Sequence, residues 1–119
     1  MTTLTKENYI QKAESVFNDD PRLVKSLTTT QIRNLISLTS RLYDLSKFKK
    51  YDELIEDIHY LIVQFVYQSG RNGAVKHFVN KAELIQAAKE INDIESLQLF
   101  SRYMEALVAY HRYLGGKDS

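Results

Sequence analysis

The sequence of 119 residues contains no cysteine and no tryptophan, and it has only one proline and four glycines. The absence of cysteine excludes disulfide bonds, thiolate metal sites and cysteine nucleophiles. No apolar run approaches the ~20 residues that a membrane-spanning helix needs, and the first residues lack the apolar core of a secretory signal. We therefore expect a cytoplasmic protein that makes no contact with a membrane.

Sequence motifs of nucleotide binding and hydrolysis are also missing. The patterns G-x-x-x-x-G-K-[ST], G-x-G-x-x-G and G-x-S-x-G do not occur. The three histidines, His59, His77 and His111, lack the spacing of metal ligands, and His111 is expected to be a core residue. Lys76 with His77 resembles an acid–base pair but has no second base beside it. We predict no enzymatic activity, no metal, no cofactor and no small-molecule substrate.

Apolar residues recur at helical spacing through most of the sequence, without the alternation that strands show. This pattern predicts an all-α single domain over residues 1–119, a compact bundle of about five helices. Residues 1–26 form its less characteristic N-terminal helix and linker, and a frayed tail is expected at 117–119. The predicted helices cover residues 5–17, 28–47, 52–69, 72–90 and 92–114.

Polar residues and one glycine mark the expected helix ends. Thr28-x-x-Gln31 predicts a capping box at the start of the second helix, and Asn92-x-x-Glu95 predicts the cap of the last. Gly70 is expected to end the third helix in the left-handed conformation. The third helix is expected to bury one face, made of Leu54, Ile55, Ile58, Leu61, Ile62, Phe65 and Val66.

The segment 72–90 is helical by its spacing, but its continuity is open. Asn80 and Glu83 could start a second helix inside it, so one bent helix and two separate helices both fit the sequence.

The last helix carries two apolar stripes. The first consists of Leu97, Phe100, Met104, Leu107, His111 and Leu114, and the second of Tyr103, Ala106, Tyr110 and Tyr113. A helix this broadly apolar is either central in its bundle or shared with another chain. Tyrosine suits an interface because its ring buries area while its hydroxyl keeps a polar partner. We predict a protein interface at Tyr103, Tyr110 and Tyr113, and a purely central helix is the open alternative.

Charge is distributed unevenly along the chain. Residues 22–50 hold seven cations and one anion, a net charge of +6, whereas the rest of the chain holds nine cations and fourteen anions, a net charge of −5. This asymmetry indicates an anionic partner on one face. Neutralisation by a neighbouring helix is the alternative, because the acidic segment DELIED follows directly.

Basic side chains of this segment share one face of the second helix. Arg33, Arg41 and Lys47 fall within about a third of the helix circumference, interleaved with small hydroxyl residues. Lys49 and Lys50 continue the series into the following turn. Arg and Lys at helical spacing can follow a sugar–phosphate backbone, although a solvated helix face has the same pattern.

A second basic cluster consists of Arg71, Lys76 and Lys81. Arg71 lies just before or at a predicted helix start, where free backbone amides favour phosphate. This cluster is therefore a second candidate contact for nucleic acid.

Three segments of the sequence carry specific motifs. They are LTTTQIRNLISLTSRLYD at 27–44, YQSGRNGAVKHFVNKAELI at 67–85 and FSRYMEALVAYHRYLGGKD at 100–118. The Y-Q-x-G-R…V-K-x-F-V-x-K-A pattern and the R-Y-M-E-A-L-V-A-Y-H run are the most specific parts. Together the three segments cover about half of the chain. In their sequence, order and spacing they resemble the small subunit of the type III-A (Csm) CRISPR effector complex.

The resemblance implies a compact α-helical protein without catalytic residues. It implies that copies stack head to tail beside the backbone subunits and line the channel that holds guide RNA paired with target RNA. The contacts go to the RNA backbone rather than to bases. Target cutting is implied for the backbone subunit, and DNA cutting and cyclic oligoadenylate synthesis for the large subunit.

The resemblance and the charge pattern together select nine candidate RNA contacts: Arg33, Arg41, Lys47, Lys49, Lys50, Arg71, Lys76, Lys81 and Arg102. Lys47, Lys49 and Lys50 rest on charge patterning alone, whereas the other six lie inside the resembling segments. Arg102 has an alternative role, an ion pair with Glu95 or Glu105. The predicted partners are guide RNA, target RNA and other Csm subunits, including further copies of the chain. The alternative function is a helical adaptor that binds only protein.

Overall fold

The computed structural model of the chain describes residues 3–117. Within this range it contains helices and no strands, so the prediction of an all-α fold is confirmed, although seven helices replace the predicted five or so. The helices are α1 (Tyr9–Asn18), α2 (Pro21–Ser26), α3 (Thr29–Leu45), α4 (Tyr51–Arg71), α5 (Gly73–Lys81), α6 (Leu84–Lys89) and α7 (Ile94–Tyr113). None of the helices in the described part of the chain has the length and apolarity that crossing a membrane requires.

The capping box at the start of α3 is confirmed. Thr28 Oγ1 accepts a hydrogen bond from the Gln31 backbone N–H at 3.1 Å, and Gln31 Oε1 accepts one from the Thr28 N–H at 2.9 Å. Both bonds satisfy amides that have no partner inside the helix. The predicted start of α3 is therefore correct, and its end at Leu45 comes two residues before the predicted one.

The central helix of the bundle is α7, which packs against α1 on one side and α3 on the other. It buries nearly all of its predicted first stripe: Leu97, Phe100, Met104, Leu107 and His111. The exception is Leu114, which lies beyond the last helical turn and is 37% exposed.

Hydrogen bonds hold α3 antiparallel to α7 at both ends. Gln98 Nε2 donates to Ser46 Oγ at 3.0 Å near one end, and His111 Nε2 donates to the Leu27 carbonyl at 2.6 Å near the other. The Thr29 N–H also donates to the Lys117 carbonyl at 2.8 Å. Part of the predicted frayed tail is thus tied to α3, and residues 118–119 lie outside the described range.

His111 is a core residue, as predicted. Its ring is fully buried beside Phe17, with the ring centroids 5.5 Å apart. The Leu27 carbonyl occupies Nε2, whereas Nδ1 has no hydrogen-bond partner among the described residues. The backbone of Gly116 closes over the ring so tightly that any side chain there would collide with it.

The N-terminal prediction needs two corrections. The first helix begins at Tyr9, because residues before it form a turn in which Thr5 and Asn8 bond each other: the Thr5 N–H donates to Asn8 Oδ1 at 2.8 Å, and the Asn8 N–H donates to Thr5 Oγ1 at 3.1 Å. The predicted linker contains α2, whose first residue is Pro21. Proline suits that position because its fixed φ matches a helix and its missing N–H would have no partner there.

The expected role of Gly70 is wrong. Gly70 lies inside α4 and does not adopt a positive φ, and the helix continues to Arg71. The chain changes direction at Asn72, whose extended backbone (φ −147°) starts α5. Val66, expected in the buried face of this helix, is 54% exposed.

The open question about residues 72–90 is resolved as two helices. The break falls at Glu83, which has a φ of 57° and is the one non-glycine residue with positive φ in the described part of the chain. Its carboxylate forms an ion pair with Lys12, with Oε1 and Nζ 2.5 Å apart. Ala82 and Leu84 on either side are fully buried, so the change of direction places both in the core.

The cap of α7 lies one residue later than predicted. Asp93 Oδ1 accepts from the Ser96 N–H at 2.7 Å, and Ser96 Oγ accepts from the Asp93 N–H at 3.1 Å. The hydrogen bonds from Ser96 hold the pKa of Asp93 below its ordinary value. Asn92, the predicted cap, precedes the motif.

Replacing Gly116 with alanine should destabilise the fold. The new Cβ would lie 2.1 Å from His111 Cε1, and the buried imidazole cannot move without disturbing the core around it. We expect the free energy of unfolding to fall by about 1–3 kcal/mol, the usual cost of overpacking. Urea denaturation of the purified chain measures this change.

Gly70→Ala is the matched control, because nothing lies within 4 Å of its new Cβ and the residue is inside α4. Alanine there should raise the free energy of unfolding by about 0.5–1 kcal/mol. Similar effects of both substitutions would contradict the close contact between Gly116 and His111.

Candidate nucleic-acid interface

The nine predicted RNA-contacting cations are all exposed. Residues 3–117 form three ion pairs, Lys6–Glu95, Lys12–Glu83 and His77–Asp20, and none of these involves a predicted cation. Glu95, one of the two expected alternative partners of Arg102, instead contacts Lys6 at 2.5 Å, and no ion pair joins Arg102 to Glu105 within residues 3–117. The predicted cations are therefore not neutralised by paired carboxylates within this range.

Three of these cations lie on the three helices that border one cleft near the start of α3. Arg71 lines a cleft of about 220 Å³ between the first turns of α3, the last turn of α4 and the start of α5. Arg33 lies on the solvent side of the same turns of α3, and Lys76 follows the cleft residue Val75 on α5. We call Arg33, Arg71 and Lys76 the cleft group.

Backbone amides contribute less to the cleft group than expected. The side chain of Asn72 already accepts hydrogen bonds from the N–H groups of Ala74 at 2.9 Å and Val75 at 3.1 Å. The start of α5 is thus capped by its own chain, and the expectation of free amides for phosphate is wrong for these two. Charge at the cleft group comes from side chains.

Arg71 is also held in place by a neighbouring ring. Its guanidinium carbon lies 5.6 Å from the centre of the Tyr67 ring, a cation–π distance. The contact orients the guanidinium at the rim of the cleft while leaving the side chain exposed.

The exposed face of α3 connects the cleft group to the opposite end of the helix. Arg33 and Arg41 are eight residues apart, which corresponds to about 12 Å along the axis. The hydroxyls between them are engaged: Ser37 donates to the Asn34 carbonyl at 2.8 Å and Ser40 to the Ile36 carbonyl at 3.1 Å. Their single protons are used within the helix, so the arginines are the charged donors that this face offers to an anion.

The three lysines between α3 and α4 form a second group. Lys47, Lys49 and Lys50 lie in the turn of residues 46–50, which we call the lysine turn, and all three are exposed. Lys47 Nζ sits 4.9 Å from the centre of the Tyr43 ring. The turn adjoins α7 through the hydrogen bond between Ser46 and Gln98.

Arg102 belongs to the same end of the molecule as the lysine turn. It lines a cleft of about 440 Å³ between α1 and α7, together with Lys6 and Gln98. Gln98 is also the residue that bonds Ser46 at the base of the lysine turn. The fold thus places positive charge at both ends of α3, with Arg41 between them.

Lys81 lies apart from the cleft group. Five residues along a helix rotate a side chain by about 140°, so Lys81 does not share the face of Lys76 on α5. It is instead near Asp20, at the start of α2. The hydrogen bond from His77 holds the pKa of Asp20 below its ordinary value, and the charge of Lys81 adds to this effect.

Tyr103 is buried and is therefore not part of the predicted protein interface. Its ring is fully inside the core, and its hydroxyl donates to the Ala82 carbonyl at 2.9 Å. Burial raises the pKa of the hydroxyl well above its ordinary range. Sequence spacing placed it beside Tyr110 on one stripe, but the packing of α6 against α7 covers its position.

Tyr110 and Tyr113 remain available at the end of α7. Tyr110 is half-buried and Tyr113 is 81% exposed, and their rings meet edge to face with centroids 6.5 Å apart. The exposed ring of Tyr113 is thus held by its neighbour rather than by the core.

An exposed apolar surface on α4 was not predicted. Tyr60, Val63, Val66 and Tyr67 are each more than half exposed, and residues 60, 63 and 67 follow helical spacing. That spacing was present in the sequence. It was overlooked because the longer series of Leu and Ile residues on the opposite side accounted for the core.

No group of three or more histidine, aspartate or glutamate residues that could hold a metal ion occurs within residues 3–117. The three histidines have different surroundings. His111 is buried, His59 is exposed on α4, and His77 on α5 contacts Asp20 at the start of α2. The Asp20–His77 contact therefore links two helices.

Comparison with known proteins gives a consistent result. Residues 4–117 match the family model described as Csm2 Type III-A. The chain is 57% identical to the CRISPR system Cms protein Csm2 of Streptococcus thermophilus, over 99% of this chain and 100% of that protein. It is 43% identical to the protein of the same description from Mycobacterium tuberculosis (strain CDC 1551 / Oshkosh), over 98% of each chain.

The burial of Tyr103 predicts a stability effect. Tyr103→Phe removes a buried hydroxyl and leaves the Ala82 carbonyl without its donor, so the free energy of unfolding should fall by about 0.5–1.5 kcal/mol. Tyr113→Phe makes the same chemical change on an exposed ring and should leave stability unchanged. Urea denaturation compares the two, and an unaltered stability of Tyr103→Phe would contradict the hydrogen bond.

Proposed function

Since the chain belongs to the Csm2 type III-A family, the small subunits of the Csm CRISPR complex, we propose that it contacts the backbone of RNA in that complex and catalyses no reaction itself. The RNA is guide RNA paired with target RNA. The subunit acts in the cytoplasm beside other Csm subunits, including further copies of itself.

The observation that carries the RNA contact is the row of unpaired cations along α3. Arg33, a member of the cleft group, and Arg41 lie on its exposed face, between the cleft and the lysine turn. Within residues 3–117, no carboxylate forms an ion pair with the cleft group or with the lysine turn. A cation without an ion pair can bind phosphate without losing a partner. Arg and Lys contacts to phosphate fix position on RNA but do not read its sequence.

The absence of catalysis is supported by what the histidines do. A general base must lie within hydrogen-bond reach of the proton that it removes, in a pocket that holds the reacting group. His111 is enclosed by the core, and His77 faces Asp20 in a contact that joins α2 to α5. The fold thus accounts for two of the three histidines, and the third, His59, is exposed on α4.

Contacts with other subunits are assigned to two exposed apolar surfaces. One is the end of α7 with Tyr110 and Tyr113, and the other is the side of α4 with Val63 and Tyr67. Large exposed rings that lie next to polar residues are typical of protein interfaces. The same surfaces favour the second candidate function, a helical adaptor that contacts only protein.

Reversing the charge of Arg33 and Lys76 should weaken RNA binding. At about 0.1 M salt, each lost phosphate contact lowers affinity roughly fivefold for single-stranded RNA, and it lowers the slope of log K against log salt by about 0.7. We expect Arg33→Glu and Lys76→Glu to show this loss in the isolated chain and weaker target binding in the assembled complex. Filter binding at several salt concentrations measures both.

Lys89→Glu is the control, since it makes the same change of charge on an exposed residue of α6 outside the predicted set. It should leave the salt slope unchanged. If both test variants fold, assemble and bind target RNA as the unmodified chain does, the cleft group does not contact RNA. The adaptor function would then be the better account.

Changing Tyr110 and Tyr113 to serine should reduce incorporation into the complex. Tyr113 contributes little to the core, so Tyr113→Ser alone should keep the melting temperature of the isolated chain within a few degrees, whereas Tyr110 packs partly against the core. Co-purification with the other subunits measures incorporation, and Val63→Ser with Tyr67→Ser tests the α4 surface in the same way. A large loss of monomer stability would show that the rings at the end of α7 belong to the core.

A further inference from the structure

Phe48 is the most exposed large apolar side chain in the described part of the chain, with 84% of its surface accessible. It lies in the lysine turn, between Lys47 on one side and Lys49 with Lys50 on the other. The turn contains no acidic residue. An aromatic ring is therefore presented to solvent with lysines on both sides of it in the turn.

The turn that carries Phe48 is firmly hydrogen-bonded. The N–H groups of Phe48 and Lys49 donate to the Leu45 carbonyl at 3.0 and 2.9 Å, and the Lys50 N–H donates to Glu53 Oε1 at 3.0 Å. Ser46 is buried, and its hydroxyl donates to the Tyr43 carbonyl at 2.6 Å. The exposure of the ring follows from an ordered backbone that directs it away from the core.

The charges around Phe48 are also free to act. Glu53, the nearest acidic side chain with a contact to the turn, is used by a backbone N–H and forms no ion pair within residues 3–117. Lys47 lies over the Tyr43 ring, which keeps its ammonium beside the turn. Three exposed lysines thus flank one exposed ring within a single turn.

We propose that Phe48 stacks on an unpaired base of RNA while Lys47, Lys49 and Lys50 bind the flanking phosphates. The inference rests on the proposed RNA contact and adds a base to what was a contact with the backbone alone. Proteins that bind single strands combine a basic surface with aromatic rings, because every base offers a flat face whatever its identity. The contact would be tolerant of sequence and specific for an unpaired nucleotide.

The surroundings favour RNA over protein as the partner of this ring. The centres of protein interfaces are depleted of lysine, since a strongly hydrated ammonium is costly to bury. A ring among three lysines would carry those charges into such an interface. The exposed rings of α4, by contrast, have valines beside them.

Fluorescence can report stacking directly, because the chain has no tryptophan. Phe48→Trp introduces a single reporter into the full-length chain at the proposed site. We expect its emission to be quenched by oligouridylate and not by an abasic ribose-phosphate oligomer of the same length, although both bind at low salt through phosphates. Equal quenching by the two oligomers would overturn the stacking.

Affinity measurements with the same oligomers separate the ring from the charges. Phe48→Ala should weaken binding of oligouridylate by about fivefold or more and leave binding of the abasic oligomer unchanged. Phe48→Leu keeps apolar bulk without a ring and should behave as the alanine variant does. Lys49→Gln with Lys50→Gln should weaken binding of both oligomers.

Each other outcome has one meaning. If the unmodified chain binds both oligomers and Phe48→Ala does not alter either affinity, the stacking is wrong and the proposed backbone contact stands. If the chain binds neither, both proposals fail together. Reduced incorporation of Phe48→Ala into the complex, with RNA affinity intact and restored assembly in Phe48→Leu, would identify a protein contact instead.

Discussion

The antiparallel pairing of α3 with α7 is the constraint on which the rest of the structure depends. At one end, His111 reaches from α7 to the Leu27 carbonyl before α3, and at the other end Gln98 reaches Ser46 just after it. With both ends fixed to the central helix, α3 turns a single face outward. That face carries Arg33 and Arg41, so the direction of the basic row follows from core packing rather than from the charges themselves.

The first turn of α4 explains why the acidic segment after residues 22–50 does not pair with their positive charge. Asp52 and Glu53 lie in the first turn of α4, where the positive end of the helix dipole favours carboxylates. Glu53 bonds the Lys50 backbone rather than its ammonium. The acidic groups thus stabilise the start of their own helix, and the lysines before it stay available for another partner.

Some features that depend on local chemistry were predictable from the sequence, and several features set by packing were not. The box of Thr28 with Gln31 needs only two side chains and one helix start, and it was found at the predicted residues. The left-handed backbone of Glu83 could not be predicted from local signals. This conformation is unfavourable on its own and persists because Ala82 and Leu84 are buried on either side. Tyr103 is similar, since spacing along α7 cannot show which face α6 covers. The exposure of all nine cations agreed with expectation, but the separation of the cleft group from the lysine turn, and of Lys81 from both, could not be seen without the packing of the helices.

A small subunit that makes only a few phosphate contacts gains from repetition. Each copy offers a few unpaired cations at either end of α3, and several phosphate contacts per chain give only weak affinity at physiological salt. Where copies lie head to tail along one RNA, as the resemblance implies, a second subunit meets RNA that is already held, so its binding becomes effectively intramolecular. Linking weak sites in this way can raise the overall affinity by about 10²–10⁴ without any new contact. Strong binding by one isolated chain would be a disadvantage, because RNA would then be captured before the complex is assembled. Binding that is shared among several copies requires a surface of this kind, with exposed, unpaired and modest charge.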